Sequence, residues 1–118
     1  MEHRWSIRKP MQAPITLALP TWEKLQTTIC DVSLGGLSVL RPQRTIPANS
    51  LVKLSFSLDQ GDHISCYRLL AQVVYSDESR VGLLFLEPGR ETLQALREML
   101  YSPARKLPTM LSGHTNAA

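Results

Sequence analysis

Apolar side chains fall at every second position from Met11 to Leu19 (Met11, Ala13, Ile15, Leu17, Leu19), which is the period of a half-buried strand. Pro14 inside that run predicts an edge position or a bulge, because proline has no N–H to give to a ladder. A turn at Leu19-Pro20-Thr21 leads into a second strand from Trp22 to Asp31, rich in Thr27, Thr28 and Ile29. After Gly35-Gly36 a short third strand is expected over Leu37–Arg41, then a loop over Pro42–Asn49. Val52, Leu54, Phe56 and Leu58 alternate strictly and mark the clearest strand in the chain. The Asp59–Asp62 stretch reads as a hairpin loop around Gly61, and a long fifth strand follows from His63 to Tyr75, with Tyr67, Leu69, Ala71, Val73 and Tyr75 on one side. Ser76–Ser79 turns the chain into a sixth strand, Val81–Leu86.

Six strands joined by short turns leave few bare edges when the sheet closes, so the expected fold is mainly β: a six-stranded antiparallel barrel. Pro88-Gly89 ends the strand pattern, and Leu93, Leu96 and Leu100 then recur at i, i+3 and i+7, predicting a C-terminal helix whose apolar stripe covers one barrel mouth. The expected organisation is a flexible arm over residues 1–10, a barrel with its helix over 11–101, and a disordered tail over 102–118.

With 118 residues the chain is long enough for one domain with its own core. No apolar run reaches the roughly 18 to 20 residues of a membrane span and none resembles a signal segment, so a cytoplasmic protein is expected. Cys30 and Cys66 are then read as reduced, packed thiols. The net charge of +3 is modest, but nine of the thirteen cations are arginine. The two chain ends carry much of the excess, through Arg4, Arg8 and Lys9 at one and Arg105 and Lys106 at the other.

Two clusters carry candidate chemistry. Arg4 and Arg8 stand four apart in Arg4-Trp5-Ser6-Ile7-Arg8, and each guanidinium is a planar fork that grips phosphate or the O6/N7 edge of guanine. Asp31-Val32-Ser33-Leu34-Gly35-Gly36 joins a carboxylate, a hydroxyl and a glycine turn. Asp31 can accept from the N1–H and N2–H₂ edge of guanine, Ser33 can donate or accept, and Gly35 and Gly36 let backbone N–H groups approach an anion. The plain alternatives are a solvated basic terminus and a turn whose side chains satisfy their own backbone. His3, Lys9 and Tyr75 are secondary candidates, as a stacking imidazole, a point charge and a stacking ring. Trp5 suits either a guanine face or the packing of the arm on the barrel. No metal site is expected, since His63 and Cys66 alone have a ligand-like spacing, and no nucleophile elbow, phosphate loop or H-E-x-x-H points to an enzyme.

Basic arm with R-x-x-x-R, strand, D-x-S-x-x-G turn, further strands and terminal helix: this order resembles the PilZ domain family of bacterial cyclic di-GMP receptors, over roughly residues 2–101. Arg4 and Arg8 match the first motif, and Asp31, Ser33 and Gly36 the second. Val81-Gly82-Leu83-Leu84-Phe85 is similar to the family's last-strand pattern. The resemblance implies a non-catalytic sensor, with ligand cyclic di-GMP lying across the barrel surface under the arm and the signal passing to a protein partner. Ordering the arm costs roughly 1 to 2 kcal/mol per residue, which charge-assisted hydrogen bonds of about 1.5 to 3 kcal/mol offset in part, so arm and ligand are expected to order together. His3 departs from the arginine that many members carry before the first motif arginine, which leaves one bound dinucleotide or a stacked pair open. Two other readings stand beside this one. The first is a nucleotide-independent adaptor in motility or secretion, using Leu70, Val74, Leu84 and Leu86 opposite the core positions. The second is a barrel for single-stranded nucleic acid, disfavoured by seven aromatics and a nearly neutral barrel.

Overall fold

A computed structural model describes residues 8–59, 61–101 and 108–109. The strands are β1 (Lys9–Ala18), β2 (Lys24–Val32), β3 (Gly36–Leu40), β4 (Leu51–Asp59), β5 (Ile64–Ser76) and β6 (Arg80–Leu86), followed by helix α1 (Arg90–Tyr101) and a two-residue β7 (Pro108–Thr109). They form one antiparallel sheet in the order β1-β2-β3-β6-β5-β4-β7, and β1 also pairs with β4, which closes a six-stranded barrel. The closing ladder is short: Thr16, Leu17 and Ala18 face Ser55, Leu54 and Lys53. Pro14 pairs only across to Thr28, outside that ladder, as a residue without an N–H requires. Farther along, β4 is joined instead by β7, so two residues of the stretch expected as a tail pair with Ser57 and Leu58. Of the arm expected over residues 1–10, Lys9 and Pro10 instead begin β1, paired with Val32 and Asp31, and residues 1–7, like the rest of 102–118, lie outside the described residues.

Alternation places the core. Ala13, Ile15 and Leu17 of β1, Val52, Leu54, Phe56 and Leu58 of β4, Leu69, Ala71 and Val73 of β5, and Val81, Leu83 and Phe85 of β6 are all buried. Helix α1 buries Thr92, Ala95, Leu96, Met99 and Leu100, a stripe at helical period, while Leu93 packs at its margin. Gly89 O accepts from Leu93 N at 2.9 Å to start the first turn. At the other end Lys9 Nζ donates to Met99 O at 3.2 Å, giving an orphan carbonyl of the last turn a cationic partner. Among the described residues no helix is long and apolar enough to cross a membrane.

Two expectations from the alternation change. Strict alternation would set Tyr75 on the same side as Val73, but the β5–β6 register passes from Val73–Leu83 to Tyr75–Gly82, so Val74 is an extra residue. The bulge reverses the phase, and Tyr75 points outward, 45% exposed. The second strand begins at Lys24 rather than Trp22, because Trp22 belongs to the turn, at φ 74°.

β3 approaches β6 very closely. A Cβ built on Gly36 would lie 2.2 Å from the Leu83 carbonyl oxygen, a backbone atom with no freedom to move alone. Gly36→Ala is therefore expected to cost about 1–3 kcal/mol, read from urea unfolding. Gly35→Ala, whose added atom meets nothing within 4 Å, is the control and should leave the midpoint nearly unchanged.

Candidate ligand-binding site

The β1–β2 register sets Pro10 opposite Asp31, which delivers Arg8 to the Asp31 carboxylate: Arg8 Nη2 donates to Oδ1 at 2.8 Å. Ser38 Oγ donates to the same oxygen at 2.9 Å, and Arg80 Nη1 stands 3.6 Å from Oδ2. One carboxylate from β2 thus gathers a cation from the start of the chain, a hydroxyl from β3 and a cation from β6. Arg8 and Arg80 remain about half exposed, at 48% and 49% of their side chains, so both guanidinium groups keep donors facing water.

The turn after Asp31 is built by Ser33. Ser33 N donates to Gly36 O at 2.8 Å, and its hydroxyl donates to the same carbonyl at 3.2 Å. That hydroxyl also accepts from the N–H groups of Gly35 and Gly36, each at 3.2 Å. Ser33 is 2% exposed and its hydrogen-bonding capacity is spent inside the turn. Gly35 O accepts from Phe85 N at 2.9 Å, tying the turn to β6. Gly35 is exposed at the tip, whereas Gly36 is buried beneath it.

From Asp31 the pairing continues across the barrel's outer surface as Asp31–Ser38–Gly82–Tyr75. A Cβ on Gly82 would fall 2.1 Å from the Tyr75 ring, so the ring lies directly over this glycine. At about 4.8 Å per strand spacing, the row spans about 14 Å from the Asp31 backbone to that of Tyr75, whose ring folds back over Gly82 toward the carboxylate. It offers an acceptor at one end, a stacking face at the other and two arginines beside the acceptor.

The sequence candidates separate accordingly. Arg8, Asp31, Ser33, Gly35 and Gly36 lie together at the end of β2, and Tyr75 closes the same surface row. Lys9 leaves the group, since its ammonium binds the helix terminus. Arg4 and His3 lie outside the described residues. Sequence reasoning missed Ser38, Arg80 and the part played by Gly82. Ser38 and Gly82 were legible in principle as small residues at outward positions of β3 and β6, but Arg80 reaches Asp31 only through a strand order that is not sequential.

The chain's residues 2–102 match the family profile of the PilZ domain. No protein of curated function matches it. Among solved structures it is similar to the PilZ domain of YcgR from Escherichia coli with c-di-GMP, at 15% identity and TM-score 0.69, covering 95% of each chain. The PilZ domain of CeSA from a cellulose synthesizing bacterium gives 16% identity and TM-score 0.66, over 81% of this chain and 96% of that one. The Bacillus subtilis inhibitor of motility MotI/DgrA gives 18% identity and TM-score 0.68, over 87% of this chain but only 54% of its own length.

The β5–β6 turn fixes where Arg80 emerges, through Asp77 Oδ1 accepting from Arg80 N at 2.8 Å and Ser79 N at 2.9 Å. These bonds, the Arg80 amide first, hold the Asp77 carboxyl below its ordinary 3.8. A depressed folded pKa means the anchoring is complete above the ordinary value and is lost as pH falls through the folded one. An NMR titration should therefore show Asp77 titrating below 3.8, with the Ser79 and Arg80 amide signals moving in step. Unchanged amide signals across that titration would contradict the anchoring.

Proposed function

The chain belongs to the PilZ domain family, and on that premise we propose that it is a non-catalytic receptor for cyclic di-GMP which relays the dinucleotide's presence to a protein partner. The observation that carries this reading is the 2.8 Å pairing of Arg8 with Asp31, which sets the second arginine of the R-x-x-x-R motif against the first residue of the D-x-S-x-x-G motif. A similar fold with c-di-GMP, the YcgR domain, supports the choice of ligand.

In this reading Arg8, with Arg4 from the arm, takes the phosphates and the O6/N7 edge of a guanine. Asp31 accepts from the guanine N1–H and N2–H₂ edge, and its Oδ1 contact with Ser38 keeps the carboxylate oriented while Arg8 turns to the ligand. Ser33 acts through the turn: its hydroxyl takes the Gly35 and Gly36 N–H groups, which are therefore spent on the turn and not on an anion, and so fixes the turn's shape beside Asp31. Arg80 keeps positive charge beside Asp31 when Arg8 leaves it, and Tyr75 offers its ring to the second base. His3 adds a stacking imidazole where the arm closes. The segment ahead of β1 that carries Arg4 orders with the ligand, and the domain works in the cytoplasm. The chemistry is recognition: these residues grip an anion and its bases.

A nucleotide-independent adaptor role is a second reading, favoured by one observation. Leu70, Val74 and Leu84 are 39%, 50% and 46% exposed on the outer face of β5 and β6, beside half-buried Leu86. Such a cluster fits a protein contact that needs no ligand.

Isothermal titration of the protein with cyclic di-GMP separates the two. Saturable heat is expected, and its absence at tens of micromolar ligand removes the receptor reading. Arg8→Ala should weaken binding about ten- to hundred-fold, as the loss of one charge-assisted contact implies. Because an ion pair this exposed contributes at most about 1 kcal/mol, the same variant should melt almost as the parent does. Tyr75→Ala should weaken binding less than Arg8→Ala and leave stoichiometry readable from the same titration.

A further inference from the structure

The β1–β2 hairpin ends in a residue that the fold neither buries nor favours. Trp22 is 90% exposed and sits at φ 74°, left-handed backbone that glycine or asparagine adopts more readily than an aromatic residue. Its amide donates to Leu19 O at 2.9 Å, and Leu19 N donates to Glu23 O at 2.8 Å, so the turn is closed and the indole is held away from the barrel. A large apolar ring kept in water on a strained residue contributes little to this fold, which points to a role outside it.

The surroundings suit a peptide. Beside the tip lies a cleft of about 230 Å³ lined by Leu19, Pro20, Ile46 and Pro47, with Arg44 and Ser50 at its margin. Leu51, two positions before the Lys53 that pairs with Ala18, adds a 47% exposed leucine on the same side. Residues 19–24 and 41–53 hold Lys24, Arg41, Arg44 and Lys53 against one acid, Glu23, and Arg44 is already paired with that acid. Arg41 Nη2 donates to Thr45 Oγ1 at 3.0 Å, which keeps a second guanidinium at the cleft. The tip therefore presents an aromatic anchor and an apolar cleft within a cationic rim.

We propose that this pole of the barrel docks an extended segment of a partner protein in which an aliphatic side chain is flanked by Asp or Glu. The aliphatic group fills the cleft between Pro20 and Ile46, Trp22 covers it, and the acidic neighbours meet Lys24, Arg41 and Lys53. Buried aromatic anchors dominate such interfaces, and the cationic rim selects among partners by charge. The pole lies at the opposite end of β2 from Asp31, so docking here rests on no part of the cyclic di-GMP reading.

Selection of a random twelve-residue peptide library on the 118-residue chain, counter-selected on Trp22→Gly, tests the assignment. Enriched sequences should combine Leu, Ile or Val with Asp or Glu. A synthetic peptide of that kind should shift the Trp22 indole N–H signal and bind Trp22→Gly at least tenfold more weakly. Lys24→Glu and Lys53→Glu should each weaken it, and added salt should weaken it further. Trp22→Gly suits φ 74°, so its melting temperature should equal or exceed the parent's. A marked fall would make Trp22 a structural residue and overturn the proposal. So would enrichment that ignores Trp22, enrichment of basic or uncharged peptides, or, in place of any peptide response, a blue shift of tryptophan emission on phosphatidylserine vesicles that Trp22→Gly abolishes, Trp5 being the other emitter.

Discussion

Pairing of β1 with β2 decides where every charged group of the site can stand. Because Pro10 is opposite Asp31, the residue that precedes β1 must emerge beside that carboxylate, and Arg8 has no other place to begin its side chain. A one-residue slip would turn Ala13, Ile15 and Leu17 out of the core, which holds β1 from Ala13 onward, while a register shift between Pro10 and Ala13 sets the stretch that carries Arg8. The exposed Arg8–Asp31 contact is thus a product of the packing and remains free to exchange its partner.

The same separation of duties runs through the site. Ser33 and Gly36 shape backbone: the first spends its hydroxyl on the turn, and the second admits the Leu83 carbonyl where any side chain would collide. Asp31, Arg8, Arg80 and Tyr75 keep atoms toward solvent and are the groups able to meet a ligand. Gly82 belongs to the shaping set although it lies in the middle of a strand, since its missing side chain is the seat of the Tyr75 ring. Small residues and polar ones therefore divide the work, buried brace beneath exposed grip.

How far these features were legible in the chain depends on how local their causes are. Strict alternation in Val52–Leu58 placed a strand and its buried face correctly, because a two-residue period leaves one face apolar whatever the neighbours are. The i, i+3, i+7 leucines located the helix, and the spacing of Arg8, Asp31, Ser33 and Gly36 was enough to suggest one cleft. Tyr75 was assigned to the inner side because nothing in Val73-Val74-Tyr75 announces a bulge; its cause is the partner strand, where Gly82 leaves room for the ring. Arg80 escaped notice because β6 reaches β2 only through β3, and Lys9 reads as a ligand cation because its actual acceptor, Met99 O, is ninety positions away. Trp22 opens a run that reads as strand, and only the backbone angle reveals it as a turn.

Consecutive side chains at the start of β1 hold different parts of the molecule: Arg8 grips the carboxylate on β2, and Lys9 grips the end of the helix. The two contacts depart from neighbouring backbone positions, so a shift at either residue moves the point from which the other side chain leaves. The start of β1 thereby bridges, over two adjacent residues, the Asp31 cluster on β2 and the C-terminal turn of α1.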